Sequence, residues 1–325
     1  MNLSDLSDFV CTKISQTDDD SKAACKRFLN NRYKFIWGDA LWRDSLYQFN
    51  INLIIDSGST ADVHNHYSFN TEGHYLLPRF ADRVLAIRTT NGQLSVDNAE
   101  MAFAVDPDIF NNTGDPISFQ ILSPCVWIHT TAAPIYASTS SAADDGITVR
   151  VTGIDEYGER FTDSISNIIY PTDYPTRNCL IVERITKPVT NGDVEIYSIY
   201  SGPTSETFAT ISSTDTQVQP KLHIRVLPKP REEVSYKVLI KKKPLELSND
   251  YDEPELRGVD NALIAYAQGD MLERERQYAK AAEKFQEGNA MLAQLKQVNA
   301  HQEASHIRYV PWTDVTEDPW ATPLI

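Results

Sequence analysis

Apolar residues recur at three- and four-residue spacing at both ends of the chain and at alternate positions through its middle. The first pattern predicts helices and the second predicts strands. The most regular run is Gly258 to Ala304. Asp260 stands where an N-cap belongs. Leu263, Ile264, Ala267 and Met271 follow as one apolar stripe, a break falls near Gln277, and Tyr278, Ala282, Phe285, Leu292 and Leu295 make the stripe of a second helix. The positions between hold Glu, Lys, Arg and Gln, all good helix formers. Two helices in a tight hairpin cannot bury both stripes alone, so a further partner is expected.

Residues 4 to 50 also read as helical. Leu6, Phe9, Val10 and Ile14 space a first amphipathic helix; Thr17 to Asp20 breaks it, with Asp20 or Ser21 as the next N-cap. From Ala23 to Tyr47 the apolar set includes Phe28, Leu29, Ile36, Trp37, Leu41, Trp42 and Leu46. The dense aromatic residues here read as core packing. Trp37, Trp42, Leu263, Ala267, Met271 and Phe285 are therefore expected to pack one helical body formed by the two chain ends.

From Ile51 the period becomes two. Ile51, Leu53 and Ile55 alternate, and Asp56 to Ser59 turns the chain. Val84 to Arg88 is a strand, and Asn91-Gly92 signals a hairpin. Phe119 to Leu122 and Val126 to His129 are short strands, while Ala137 to Ala143 reads as a Ser/Thr/Ala linker. Strand signals at Ile147 to Val151, Phe161 to Ile168, Cys179 to Ile185 and Val194 to Tyr200 suggest a small Ig-like β-sandwich over 144–200. Leu222 to Leu227 and Val234 to Ile240 are the clearest strand pair. Beyond Ser305, Pro311, Pro319 and Pro323 forbid a long helix. Ile307, Tyr309, Val310, Trp312 and Trp320 mark that tail as an extended docking arm.

The expected fold is α+β. Helices over 1–50 and a helical hairpin over 248–304 make one body. The β-rich insertion divides into 51–143, the Ig-like module and closing strands over 201–247, and the arm spans 305–325.

A chain of 325 residues has room for two or three compact units. No apolar run approaches the roughly eighteen residues of a membrane span. Residues Met1 to Asp5 lack a basic stretch followed by an apolar one, which predicts no signal peptide. Cys11, Cys25, Cys125 and Cys179 form no CxxC pair and read as buried thiols rather than a disulfide frame. The formal charge of -15 argues against a surface that grips phosphates. It is compatible with a wall that DNA slides past without adhering.

Catalytic signatures are sparse. The sequence has no glycine-rich phosphate loop and no GxSxG elbow. Asp62, His64 and His66 would share one face of a strand, with His74 nearby, but no fourth ligand can be named for a metal. The carboxylate pairs Asp144-Asp145, Asp155-Glu156 and Asp252-Glu253 fall in predicted turns, which read as solvated. Lys241 to Lys243 reads as a charged strand end. No enzyme activity, cofactor or metal is expected; a metal-dependent hydrolase using His64 and His66 is the weakest of three readings.

Several segments, in order, resemble the head-to-tail connector (adaptor, or tail tubular protein A-like) family of tailed bacteriophages. Arg27 to Trp42 is similar to that family's N-terminal helices, and Leu77 to Arg88 to its proline-led strand. Gly114 to Phe119 resembles the following turn and strand. Leu222 to Pro230 with Tyr236 to Pro244 resembles its closing strand pair, and Val259 to Leu272 the start of its C-terminal helices. Residues 144–200 fit least well. The resemblance implies a non-enzymatic structural protein of the virion neck, assembled in the host cytoplasm. Copies would form a ring of about twelve beneath the portal protein. The arm would insert into the portal, and the β part would face the next tail component, a nozzle or tube protein. Double-stranded DNA would pass through the lumen without specific binding, and no membrane would be involved. The alternative is a β-rich tail or baseplate module that binds a host receptor or glycan.

Overall fold

A computed structural model of the chain describes residues 1–52, 73–97, 108–109, 112–144, 146–166, 168, 176–199, 205–231 and 235–306. The fold is mixed α and β, and it divides into two compact units: residues 1–46 with 243–325, and residues 47–242.

The first unit is helical. α1 (Leu3–Lys13) is capped by Asn2, whose side chain accepts the Asp5 N–H at 2.8 Å. Its buried face is Leu3, Leu6, Ser7, Val10 and Cys11, whereas Phe9, expected in that stripe, is 42% exposed. α2 (Asp19–Asp39) is capped by Asp18, which accepts the Ser21 N–H, ahead of the expected Asp20 or Ser21. Ser15, at φ 59, turns the chain early enough to place Asp18 there. α2 ends well before Tyr47. Ala40 is extended, and the Trp42 indole folds back to donate to the Ile36 carbonyl at 2.7 Å. That bond satisfies a carbonyl that a longer helix would have used, and the chain leaves as a strand.

α3 (Asp260–Arg274) begins with Asp260 in its first turn; Val259 holds the cap position without a side-chain bond. Arg276 at φ 63 makes the break, and α4 (Tyr278–His306) follows. One core joins both chain ends: Leu6 and Val10 of α1, Tyr33 and Trp37 of α2, Leu263 and Met271 of α3, and Leu292 of α4. Burying a side chain of this kind contributes roughly 1.5–3 kcal/mol.

The α4 stripe departs from the expected one only in its first turns; Phe285, Leu292 and Leu295 pack on the helical core as expected. Tyr278 is 62% exposed and Ala282 is exposed, while Ala281, Gly288 and Leu292 are buried. Two glycines set this register. A Cβ on Gly269 would lie 2.5 Å from the Phe285 ring, and one on Gly288 would lie 3.1 Å from the Tyr266 ring. Each helix thus seats an aromatic side chain on a glycine of the other.

The second unit is built of strands. Its first group is β1 (Leu46–Asn52), β2 (His74–Leu76), β3 (Ala81–Thr89), β4 (Gly92–Gln93), β5 (Ser95–Val96), β6 (Thr113–Gly114) and β7 (Ser118–Cys125). Next come β8 (Trp127–Ala133), β9 (Ile135–Thr139), β10 (Val149–Asp155), β11 (Arg160–Ile165), β12 (Cys179–Thr186), β13 (Val194–Ile199) and β14 (Ser205–Ile211). β15 (Lys221–Leu227), β16 (Lys229–Pro230) and β17 (Ser235–Lys242) close it.

The sheets β1-β17-β3-β4 and β2-β15-β7-β5 share one core. Val238 pairs with Ile87 across β17 and β3, and Val226 with Phe119 across β15 and β7. A second core is enclosed by the sheets β11-β10-β12-β8 and β14-β13-β9. It draws on Val126 through Val218, a wider span than 144–200. The expected linker at Ala137 lies partly in β9, with Ile135 and Ala137 fully buried. Small residues hid the alternation there. Asp144, expected in a solvated turn, is buried and accepts the Asn191 N–H at 2.7 Å, the Gly192 N–H at 3.0 Å and the Thr139 hydroxyl at 2.8 Å. These bonds, the Asn191 N–H foremost, hold its carboxyl down to about 2. Lys241 and Lys242 close β17, as a charged strand end would, but Lys241 is buried.

Candidate functional site

Trp37, Trp42, Leu263, Ala267 and Met271 are all buried in the helical core, with Phe285 packed against it. Polar bonds fix the elements around them. Arg32 of α2 holds the Asp270 carboxylate of α3 in a fork, Nε to Oδ2 at 2.8 Å and Nη2 to Oδ1 at 2.6 Å. Its guanidinium lies 5.2 Å from the Tyr266 ring centroid and 5.0 Å from that of Phe285. The planar fork suits both neighbours, since Arg can pair bidentately and stack at once. The Glu255 N–H donates to the Tyr33 hydroxyl at 3.1 Å. Asn299 of α4 accepts the Arg43 N–H at 3.1 Å and donates to the Leu41 carbonyl at 2.8 Å. Lys296 pairs with Asp39.

The outward faces of this unit carry apolar groups. Phe35 is 54% exposed, and Phe9, Tyr251, Tyr278 and Val298 are exposed as well. A shallow depression of about 450 Å³ on α1 is lined by Met1, Asp5, Asp8, Phe9, Thr12 and Lys13. On α4, Ala279, Ala282, Gln286, Ala290, Ala293 and Gln297 are exposed and fall on one side at helical spacing. That side is uncharged and made largely of small residues. Sequence reasoning missed it by seeking a single apolar stripe per helix; the alanine spacing was the available signal. Ile307, Tyr309, Val310, Trp312 and Trp320 of the arm lie outside the described residues, as do Leu53, Ile55, Asp56 to Ser59, Asp62, His64 and His66.

Among the described residues, the β unit holds a largely buried polar row. His74, Arg225 and Gln120 lie side by side across β2, β15 and β7. His223 stands two residues from Arg225 on the same face, and its Nε2 lies 2.8 Å from His74 Nδ1. One ring nitrogen must carry the hydrogen and the other accept it. Burial lowers His74 to about 3, with His223, Arg225 and Lys229 adding to it; burial likewise takes His223 to about 4. Both rings are thus neutral, and the adjacent cations disfavour binding of a metal ion. Among the described residues, no group of three or more His, Cys, Asp or Glu is placed to hold one. Nor is any helix among them long and apolar enough to cross a membrane.

No protein-family model matches the chain, and no curated protein matches it.

Proposed function

We propose that the protein is a ring-forming structural component of a tailed-phage virion, a head-to-tail connector that joins the portal to the tail and lines part of the DNA channel. The observation that carries this reading is the helical unit. Both chain ends close on one core, while Phe35, Tyr278, Val298 and the uncharged side of α4 stay exposed. Apolar and small side chains left exposed on several faces offer positions at which neighbouring copies can pack. A small-residue side lets a neighbouring helix approach closely. The net charge of -15 suits a channel wall that does not hold DNA. In this reading the arm from Ser305 onward docks on the portal, and no catalysis is involved.

We also read the seven-stranded module as Ig-like in the broad sense of a four- and a three-stranded sheet around one core. Its pairing order, with β9 beside β13, departs from the immunoglobulin order.

The test is to mix purified protein with portal rings and image the mixture by negative stain, beside a chain lacking residues 305–325. A ring seated on the portal, lost on deletion while the shortened chain stays folded, supports the proposal. Continued co-sedimentation of the shortened chain with portal overturns the arm assignment.

A further inference from the structure

All four cysteines are free and buried. Two of them meet. Cys11 on α1 and Cys25 on α2 are both fully buried in the helical core, where the two helices pack together and each thiol is close enough to perturb the other. Cys25 Sγ also lies 4.0 Å from the Ser7 carbonyl, on the same face of α1 as Cys11. The two helices pack together on either side of a short turn, with the cysteines fourteen positions apart. Cys125 and Cys179 offer a built-in comparison, because the Cys179 thiol donates instead to the Ile181 carbonyl at 3.2 Å.

We propose that Cys11 and Cys25 are a redox pair that closes into a disulfide and staples α1 to α2. The inference does not depend on the connector reading. The co-reactant is a low-molecular-weight disulfide. α1 is a helix of only 11 residues, and such short elements open locally more readily than a core strand. On opening, Cys11 loses its proton to solvent. Its thiolate attacks one sulfur of the external disulfide, expels the other half as a thiolate, and leaves a mixed disulfide on Cys11. Cys25, deprotonated in turn, attacks the Cys11 sulfur and expels the second half. Two protein thiols are oxidised to one disulfide, and the external disulfide is reduced to two thiols. Cys11 is the entering nucleophile because it stands on α1, the shorter of the two helices and the one that opens.

Closing a loop of this size restricts the unfolded chain and raises the thermal midpoint of the helical unit by roughly 5–10 °C. The experiment treats the native full-length chain with oxidised glutathione, removes excess reagent, unfolds it and alkylates the remaining thiols before peptide mapping. The expected product has lost the mass of two hydrogens, carries a Cys11–Cys25 linked peptide and alkylated Cys125 and Cys179, and melts higher until a phosphine reductant restores the starting midpoint. The variant Cys25→Ser should stop at one glutathione on Cys11 with no rise in midpoint. If that variant does not fold, the wild-type peptide map decides alone. Four alkylated thiols, separate glutathione adducts on Cys11 and Cys25, a link between chains, or a linked product that melts no higher would each overturn the proposal.

Discussion

Arg32 and Asp270 are 238 positions apart, yet their side chains meet in two hydrogen bonds of 2.8 and 2.6 Å with aromatic rings alongside. Asp270 is only 12% exposed, so removing one partner strands the other in a poorly hydrated place. Asp270→Ala is expected to destabilise the helical unit by roughly 2–4 kcal/mol. Replacing both, Arg32→Met with Asp270→Leu, should recover much of that loss. Urea unfolding of the three variants checks it; a double variant no better than the single one would argue against the pair.

Two glycines should respond oppositely to alanine. At Gly269 the new Cβ would collide with the Phe285 ring, and overpacking of this kind costs roughly 1–3 kcal/mol. Nothing lies within 4 Å of a Cβ on Gly38, so Gly38→Ala should gain up to about 1 kcal/mol from helix propensity. Thermal midpoints of the two variants should move in opposite directions.

The buried histidine pair makes stability depend on pH. The folded values of His74 and His223, about 3 and about 4, lie below the ordinary 6.5. An unfolded chain therefore binds more protons than the folded one as the solution is acidified. Their contribution is whole above pH 6.5 and is lost as pH falls through about 4 for His223 and about 3 for His74. Ring-proton NMR of the native chain should show both imidazoles still neutral at pH 5.5. Either ring titrating near 6.5 would contradict the packing.

The outward helical surface can be probed without touching the core. Phe35→Asp or Ala290→Glu places a charge on an exposed position. Each is expected to leave the unfolding free energy within about 0.5 kcal/mol of the parent. Under the connector proposal, each also shifts sedimentation from rings towards single copies. Unchanged ring formation by both would move the copy-to-copy contact elsewhere.

The helical pairing was legible because its signals are local and strong. Heptad-like spacing around Leu263 and Met271 and the aromatic run to Trp42 gave elements and partners. What escaped was decided by tertiary contact. That Phe285 rests on Gly269 is a contact no spacing rule encodes. α2 stops short because Trp42 caps Ile36, although helical periodicity continues to Leu46. β9 looked like a linker because Ala and Ser carry little β propensity, and its pairing with β13 overrides that. The histidine pair was invisible because His74 and His223 are brought together by strand register alone.

The chain passes from the helical unit to the β unit after Leu46 and returns before Lys243. During synthesis, α1 and α2 therefore emerge long before the helices that complete their core. Their apolar faces must wait, shielded by other factors or by one another, while nearly two hundred residues are added. The β unit can finish first, and by pairing β1 with β17 it shortens the search that later brings the two ends together.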